Sequence, residues 1–428
     1  MEFLFVTQAA VMNKTQAGGG VRSTLLIKAL SRIGHVDVIS FAKEPVESSI
    51  PNCDVIFSGE TPERELTIGD RALINLKLFF APWRPEAYCP VDQEQVKIIS
   101  RYYNAKHYDY VVCHFIWDAI VSGLMRYADR LIIDVDDDLV SSEKRNQTDA
   151  SNRRMLTRFK LRWRTRMIGK MQQHLLKRVK LSFYSNDGEP PYAKSVFLHN
   201  VPLLSYPCGN MTEHTPMRLL FVGNIDFTPN KNGLSHFVES VFPIIKERMP
   251  AVELNIVGLC KDQNFKSRLC SIPGVHVVGF VEDLREEYEN SCVVIIPIYH
   301  GSGTSIKFIE GIMMNRPVVS TPVGARGFDC VFQANRHYWL ANSDQEFVDQ
   351  VLNVLSDRTK ASLMAREACE IAKVKFSQES FFEVVKTSLS RLFQNTFFPN
   401  FDVIPKVVSP FRGNNNKTRN SWTCGEKA

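Results

Sequence analysis

The stretch IIPIYHGSGTSIKFIEGIMMNRPVVSTPVGARGF (295–328) contains a strand, a glycine-rich turn, a helix and a second strand in succession. Thr304 or Ser305 can cap the helix, which runs to about Met314 before Pro317 opens the next strand. The helix therefore begins at the carboxyl end of a strand. Its free backbone N–H groups and its positive dipole end form a site that attracts phosphate.

Two charged side chains lie at the start of this predicted helix. Lys307 can neutralise a phosphate, and Glu310 lies three residues on, on the same helical face. A carboxylate repels phosphate but accepts hydroxyl protons, so a ribose diol suits Glu310. These residues are compatible with a nucleotide site. However, glycine turns before helices are common, and such a Lys–Glu pair is usually a solvated face, so both interpretations stay open here.

The flanking sequence repeats the same alternation of strand and helix. Short runs rich in Val, Ile and Phe suit strands buried on both faces, and the helical patterns between them imply a parallel sheet. The alternation begins at 3–7 and restarts at 217 after a polar, proline-containing stretch. We therefore predict an α/β fold of two doubly wound, Rossmann-like domains that face a cleft at the carboxyl ends of their strands.

The domain boundaries follow from these interruptions. We predict an N-terminal domain over 1–201, a linker over 202–216 and a C-terminal domain over 217–376. A final helix covers 377–394. The tail 395–428 has little periodic apolar content and is expected to be mobile.

Composition narrows the class of protein. Among 428 residues, 44% are hydrophobic and 23% are charged, as in soluble globular proteins, and the net charge of +6 does not by itself indicate nucleic acid binding. No two of the ten cysteines have CxxC spacing, so most are expected to be buried thiols in a reducing compartment. The start MEFLFVT (1–7) predicts a first strand, and no apolar run is long enough to span a membrane.

The segment GSGTSIKFIEGIMMNRPVVSTPVGARG (301–327) resembles the donor-binding segment of GT-B glycosyltransferases of the family 4 type, the glycosyl transferases group 1. The stretch 219–233 is similar to the first strand and loop of that family's C-terminal domain. The stretch 275–297 is similar to its segment that packs on the nucleobase. The three stretches occur in matching order and spacing, which makes the combination more specific than any one of them. The resemblance implies the GT-B fold, in which the final helix over 377–394 crosses back to the N-terminal domain.

The resemblance also implies roles for individual residues. Glu310 would hold the ribose hydroxyls, Lys307 would contact the diphosphate, and His114, at the end of a strand, would lie near the donor sugar; these three are the predicted catalytic residues. The predicted donor-binding residues are Gly19, Gly20, Gly223, Asn224, Lys231, Phe280, Val281, Gly303, Thr304, Lys307 and Glu310. On the residues alone, His114 could equally be a structural histidine, and the glycines of 18–20 a tight turn.

Two positions depart from the family's pattern. Many members carry a second glutamate at the position of Ser302, so the contact that it makes to the sugar ring is altered here. Many also carry an arginine where this chain has Asn224, and a lysine near Asn230 or Lys231. Neutralisation of the diphosphate therefore shifts towards Lys307 and Lys231.

The run LIIDVDDDLVSS (131–142) places Asp136, Asp137 and Asp138 after a strand. An Asp-x-Asp pattern is the metal site of the other glycosyltransferase class, GT-A. Because the donor segment lies elsewhere, we favour an acidic loop on the acceptor side that binds hydroxyls and no metal.

The segment RRMLTRFKLRWRTRMIGKMQQHLLKRVK (153–180) has eleven basic residues and no acidic one, with apolar residues interleaved. One interpretation is a surface helix whose apolar face is core. The other is peripheral attachment of a cytoplasmic protein to the anionic inner face of a membrane. No recognised module for nucleic acid accompanies the charge.

The predicted function is transfer of a hexose-type sugar, with retention, from a nucleoside diphosphate sugar to a hydroxyl of a glycan or lipid-linked acceptor, in cell-surface polysaccharide or lipopolysaccharide synthesis. The nucleotide-sugar is a co-substrate, and no cofactor is expected. The alternatives are a nucleotide-sugar 2-epimerase of the same fold and a non-catalytic protein that binds sugar nucleotides.

Overall fold

The computed structural model describes residues 1–12, 18–44, 46, 49–61, 69, 74, 80–81, 83–85, 88–136, 139–140, 143, 155–185, 194–203, 208–212, 214–301 and 303–397. The chain divides into two compact units, residues 1–387 and 388–428, and both β-sheets lie in the first. Most of the tail 395–428, for which mobility was predicted, lies outside the described residues.

The first sheet is parallel throughout and has the order β3-β2-β1-β4-β5-β6-β7. Its strands are β1 (Glu2–Thr7), β2 (His35–Ser40), β3 (Cys53–Ser58), β4 (Tyr110–His114), β5 (Leu131–Asp136), β6 (Leu181–Tyr184) and β7 (Ser195–Phe197). The α-helices that accompany these strands are α1 (Gly18–Ser31), α2 (Gln93–Ala105), α3 (Ile116–Val121) and α4 (Met155–Arg178).

The second sheet is also parallel and has the order β10-β9-β8-β11-β12-β13. Its strands are β8 (Arg218–Val222), β9 (Glu253–Val257), β10 (Val275–Gly279), β11 (Val293–Ile296), β12 (Val318–Ser320) and β13 (Trp339–Leu340). The α-helices here are α5 (Thr228–His236), α6 (Phe242–Arg248), α7 (Gln263–Cys270), α8 (Arg285–Glu289), α9 (Ile306–Met313), α10 (Pro322–Ala325), α11 (Asp344–Ser356), α12 (Arg358–Lys375) and α13 (Gln378–Phe397).

The central strands of both sheets are buried on both faces, as their unbroken apolar runs predict. Side chains 3–6 of β1 and 293–296 of β11 are fully removed from solvent. Full burial of one such side chain stabilises the fold by about 1.5–3 kcal/mol. The prediction of two doubly wound, Rossmann-like sheets is confirmed.

Each sheet reverses its strand order once, between β1 and β4 in the first sheet and between β8 and β11 in the second. Open parallel sheets bind ligands at such reversals, outside the carboxyl ends of the strands. The glycine-rich segments after β1, β8 and β11 all begin at these two points. The topology therefore directs attention to the loops that the sequence singled out.

The helical spacing of the apolar residues in 233–249 predicts a helix over that range, and the observed helix differs from it. It begins at Thr228, with Pro229 in its first turn, and a π-helical turn over Phe237–Val241 joins α5 to α6. Pro243 explains this turn, because it lacks an N–H and its ring crowds the preceding turn of an α-helix. The apolar period alone located the buried face but not the start of the helix.

The final helix α13 begins close to the predicted position. In its first turns, Glu379 forms an ion pair with Arg32 of α1 (Nη1 to Oε2, 2.8 Å), and the guanidinium of Arg32 lies 4.0 Å from the ring centre of Phe382.

The domain boundaries proposed above stay a prediction. Among the described helices, none combines the length and the apolarity that crossing a membrane requires.

Substitution of Gly258 tests whether the main chain after β9 lies against the main chain after β8. Its φ is +141°, and a Cβ there would overlap the carbonyl oxygen of Gly223. We expect Gly258→Ala to lower the free energy of unfolding by about 1–3 kcal/mol, because it combines backbone strain with a collision against main chain. Gly209→Ala is the control, since a Cβ there meets nothing within 4 Å. Equal urea midpoints for the two variants would contradict the close approach.

Candidate functional site

The turn between β11 and α9 is held by an arginine. Gly301 and Gly303 have φ values of +132° and +79°, and Arg326 Nη2 donates to both of their carbonyl oxygens, at 3.1 and 2.8 Å. The guanidinium therefore restrains the turn through these two carbonyl oxygens. Arg326 was not among the predicted site residues, although it lies in the last residues of the quoted motif.

The N-terminus of α9 has no side-chain cap. Ser305 occupies the capping position in an extended conformation, but its hydroxyl caps no N–H group, and the buried Oγ has no partner among the described residues. Thr304, the other predicted cap, instead accepts a hydrogen bond from Asn200 Nδ2 at 2.6 Å. Within the described part of the chain, neither predicted cap therefore accepts from the first N–H groups of α9, and an anion site requires N–H groups that are free in this way.

Lys307 connects this helix to the loop after β8. Its Nζ donates to Asn230 Oδ1 at 2.8 Å, and Asn230 Nδ2 donates to the carbonyl of Asn224 at 2.6 Å. A Cβ on Gly223 would lie 3.1 Å from Lys307 Cε and from Asn230 Nδ2, so the glycine makes room for both side chains. The structure thus brings Gly223, Asn224 and Lys307 together. Burial lowers the pKa of Lys307 to about 8, against the attraction of Glu310.

Glu310 lies one helical turn after Lys307 and is half-buried. Burial raises the pKa of its carboxyl to about 7, although Lys307 acts in the opposite direction. Among the residues that the structure describes, no hydrogen bond reaches the Glu310 carboxylate, and the buried hydroxyl of the nearby Tyr288 has no partner either. A carboxylate in this position retains its full capacity to accept hydroxyl protons from a ligand. Its role towards ribose stays a prediction.

The predicted nucleobase contact lies at the end of β10. Phe280 follows Gly279, whose φ is +92° and whose carbonyl accepts from Gly258 N at 2.8 Å. The Phe280 ring is 46% exposed, and Val281 is half-buried. An apolar ring left in solvent beside a carboxyl strand end is available to stack on a base.

Lys231, the other lysine considered for the diphosphate, has a different partner. Its Nζ lies 2.6 Å from Asp262 Oδ2, and 5.1 Å from the ring centre of Phe265. The ion pair directs this ammonium to the start of α7. Of the two lysines, Lys307 is the one in contact with the surroundings of Gly223.

In the first sheet, His114 is fully buried at the end of β4. Its Nδ1 lies 2.7 Å from Ser23 Oγ, its Nε2 lies 3.6 Å from Asp134 Oδ2, and its ring stacks on Phe115 at 3.8 Å. A Cβ on Gly19 would come within 3.4 Å of both rings. Gly19 and Gly20 lie in the first turn of α1, and Gly19 lets this helix pack closely against the histidine. Burial lowers the pKa of His114, although Asp134 and Asp136 oppose the shift, which favours a neutral ring.

Asp136, predicted on the acceptor side, ends β5 with a φ of +58°. Its Oδ1 accepts from Asn200 Nδ2 at 3.0 Å, and its carbonyl accepts from Ser185 Oγ at 2.8 Å. Burial acts to raise the pKa of Asp136, but Arg22 and His114 outweigh it and lower the pKa overall. Asp137, Asp138 and Ser302 lie outside the described residues.

Three potential metal ligands of the described chain lie together at the other end of the first sheet. They are His35, Asp37 and Asp54. Lys106 Nζ is 2.9 Å from Asp37 Oδ2, and the Tyr108 hydroxyl donates to the same oxygen at 2.7 Å. Lys106 thus pairs with Asp37, and the cluster lies at the beginning of β2 and β3, opposite the carboxyl ends of the strands.

Known proteins resemble this chain in sequence and in fold. Residues 216–357 match the family model of the glycosyl transferases group 1. An uncharacterised 44.6 kDa protein in the cps region of Klebsiella pneumoniae is 24% identical over 183 residues, which are 41% of this chain and 46% of that protein. The chain therefore aligns with about half the length of this relative.

Two solved structures show the fold. Sucrose-phosphate synthase from Thermosynechococcus elongatus superposes with a TM-score of 0.67 at 16% identity, over 92% of this chain and 99% of that one. HepE of Anabaena, in complex with UDP and glucose, superposes with a TM-score of 0.59 at 14% identity, over 91% and 99%. The chain has the GT-B fold, and the resemblance to group 1 glycosyltransferases is confirmed for residues 216–357.

The raised pKa of Glu310 predicts a pH-dependent effect on stability. Because the pKa is about 7 in the folded state and 4.5 in the reference state, folding becomes less favourable as pH rises between these values. Glu310→Gln removes this cost. We expect the variant to gain about 1–3 kcal/mol in unfolding free energy relative to the wild type between pH 5 and pH 8. Urea unfolding at both pH values measures the gain, and exposed Glu247→Gln, as control, should show none.

Proposed function

We propose that this chain is a retaining glycosyltransferase that moves a hexose-type sugar from a nucleoside diphosphate sugar to an acceptor hydroxyl. The observation that carries the proposal is the uncapped N-terminus of α9, with Lys307 and Glu310 in its first two turns at the strand reversal of the second sheet. An anion site and a free carboxylate one turn apart match a diphosphate joined to a ribose. HepE, bound to UDP and glucose, supplies a precedent for this fold.

The leaving diphosphate is the group that this site would stabilise. As the bond between the anomeric carbon and the diphosphate oxygen breaks, negative charge develops on that oxygen. The N–H groups of α9 and the ammonium of Lys307 are fixed donors that meet this charge, and such preorganised electrostatics commonly supply the largest part of a rate enhancement. The acceptor oxygen would bond to the anomeric carbon on the same face, and its proton would pass to the departing diphosphate. No enzyme nucleophile or cofactor takes part.

The lowered pKa of Lys307 suits this task. With a pKa of about 8, the free side chain is only partly protonated under mildly alkaline conditions. A bound diphosphate would favour the charged form and raise the pKa, because opposite charges stabilise each other in a buried site. Donor binding would therefore take up protons above pH 8.

The acceptor is proposed to be a glycan or a lipid-linked sugar of cell-surface polysaccharide or lipopolysaccharide. Support comes from α4, whose apolar face packs into the core through residues that include Met171 and Leu175. Its opposite face exposes Phe159 and Trp163, which are 70% and 42% accessible and lie one turn apart. The exposed basic residues on that face include Arg162, Arg166, Lys170 and Lys177. Exposed aromatics among cations fit an anionic membrane surface near a lipid-linked acceptor.

The nucleotide role is tested by titration calorimetry with UDP-, GDP- and ADP-sugars. We expect one base to bind, and Glu310→Ala to weaken that binding by roughly 10- to 100-fold, since about two hydrogen bonds to a charged acceptor are lost. Glu247→Ala, an exposed glutamate on α6, is the matched control and should bind like the wild type. Unchanged affinity in Glu310→Ala would remove the basis of the proposal.

Turnover assays separate transfer from its rivals. We expect free nucleoside diphosphate and a glycosylated product only when an acceptor is present. Formation of UDP-ManNAc from UDP-GlcNAc without an acceptor would establish the 2-epimerase instead. If the protein binds a nucleotide-sugar but releases no nucleoside diphosphate with any glycan or lipid-linked acceptor, the non-catalytic alternative is favoured.

Membrane attachment is tested with vesicles of phosphatidylglycerol and phosphatidylcholine. Each basic residue near an anionic surface contributes about 1 kcal/mol, so Arg166→Gln with Lys170→Gln should reduce binding by roughly 10- to 30-fold. The control pair, Lys360→Gln with Arg366→Gln, removes the same charge from the exposed side of α12. Equal losses for the two pairs would show that net charge acts, and α4 would have no special role.

A further inference from the structure

We propose that Asn200 is a positioning residue of the donor site, and that a buried Arg22–Asp134 pair fixes its orientation. The proposal rests on the donor site described above and adds residues that the first sheet contributes to it. Neither Asn200 nor Arg22 was among the residues that the sequence predicted for a role. They are connected through side-chain hydrogen bonds that run from the first sheet to the turn before α9.

The relay begins with Arg22 of α1, which is 2% exposed. Its Nε and Nη2 donate to the two carboxylate oxygens of Asp134, both at 2.7 Å. Its Nη1 donates to Asn200 Oδ1 at 2.7 Å and to the Leu198 carbonyl at 3.1 Å. The planar guanidinium can serve both partners at once, whereas a lysine ammonium would not match the paired geometry.

This arrangement determines which way the Asn200 amide faces. A guanidinium has only donors, so the amide oxygen must point at Arg22 and the amide nitrogen must point away from it. The nitrogen donates to Thr304 Oγ1 at 2.6 Å and to Asp136 Oδ1 at 3.0 Å. Asn200 is itself buried, so a reversed amide would leave buried donors facing each other, at a cost that burial makes severe.

The relay ends where the donor would bind. Thr304 directly precedes the capping position of α9, so a fixed Thr304 restrains the N–H groups that are proposed to hold the diphosphate. The same Asp134 carboxylate lies 3.6 Å from His114 Nε2. Asp134, which holds Arg22 in the relay to the donor turn after β11, therefore also lies beside the buried histidine that ends β4. Restraint before binding lowers the entropy cost of placing the donor.

The first test reads the network without any nucleotide. Hydrogen–deuterium exchange of the ligand-free protein is followed in peptides that cover 299–310. We expect Asn200→Ala to accelerate exchange there by roughly 3- to 10-fold, as loss of one buried hydrogen bond permits. Ser182→Ala is the matched control, because it removes a 2.8 Å hydrogen bond to Ser195 within the same sheet, away from the turn. Unchanged exchange in Asn200→Ala would overturn the relay.

A second test uses UDP-glucose as the probe and compares KM with kcat. We expect Asn200→Ala to raise KM by roughly 3- to 10-fold with a smaller change in kcat, since the residue does not touch the reacting atoms. Asn200→Asp keeps the acceptor for Arg22 but places a second carboxylate beside Asp136, and it should be at least as impaired. A variant that loses kcat alone, or an Asn200→Asp enzyme that behaves like the wild type, would refute positioning through the amide.

The two tests distinguish failure of the relay from failure of the proposed function. If the wild type binds no nucleotide, the proposed function is wrong, while accelerated exchange in Asn200→Ala still establishes the relay. If nucleotide binds and exchange at 299–310 does not respond, the relay is wrong and the donor site stands. A double-mutant cycle with Thr304→Val adds a third criterion: the two losses must be non-additive, because both variants remove the same hydrogen bond.

Discussion

The hydrogen bond from Lys307 to Asn230 joins the two loops that meet where the second sheet reverses its strand order. Gly223 leaves room for both side chains. Gly258, which follows β9, lies so close to the carbonyl of Gly223 that a Cβ there would overlap it. One ammonium thus connects the first turn of α9 with the loop after β8.

Buried charge is treated differently in the two halves of the site. Arg22 and Asp134 are both buried, but their charges and hydrogen bonds are matched, so desolvation is compensated. Lys307 and Glu310 are less completely matched, and burial moves each pKa towards the neutral form. Such incompletely satisfied groups are typical of sites that await a ligand, whereas the paired charges of Arg22 serve to hold a conformation. The Arg22–Asp134 pair therefore suits a structural role, and Lys307 and Glu310 suit groups that a ligand would neutralise.

The residues of α4 illustrate how one sequence pattern can serve two purposes. Its alternation of basic and apolar residues was compatible with a core-facing helix or with a membrane surface. In the structure, Met171 and Leu175 enter the core, while Phe159 and Trp163 remain in solvent one turn apart. The apolar residues therefore divide between the two faces, and only their positions around the helix axis reveal which ones are free for a partner.

Local sequence determined the strands, most of the helices and the glycine-rich turn before α9, because each depends on neighbours within a few residues along the chain. The motif around Lys307 and Glu310 was visible for the same reason: one helical turn separates the two side chains. The apolar period does not show where α5 starts, because it begins after the first turn of the helix, and it does not show the interruption at Pro243.

Contacts between distant residues could be decided only by the tertiary structure. Arg22 and Asn200 are 178 positions apart, and Asn200 and Thr304 are 104 positions apart. A local period in the sequence cannot predict such pairings, because they depend on which strands are neighbours in the folded sheets. The same holds for Lys231, which pairs with Asp262 at a separation of 31 positions, while its role towards a phosphate stays a prediction. The sequence by itself determined that a donor-type motif stands at a strand end, and the folded chain decided which side chains orient it, because burial and pairing of charge are properties of three-dimensional neighbours.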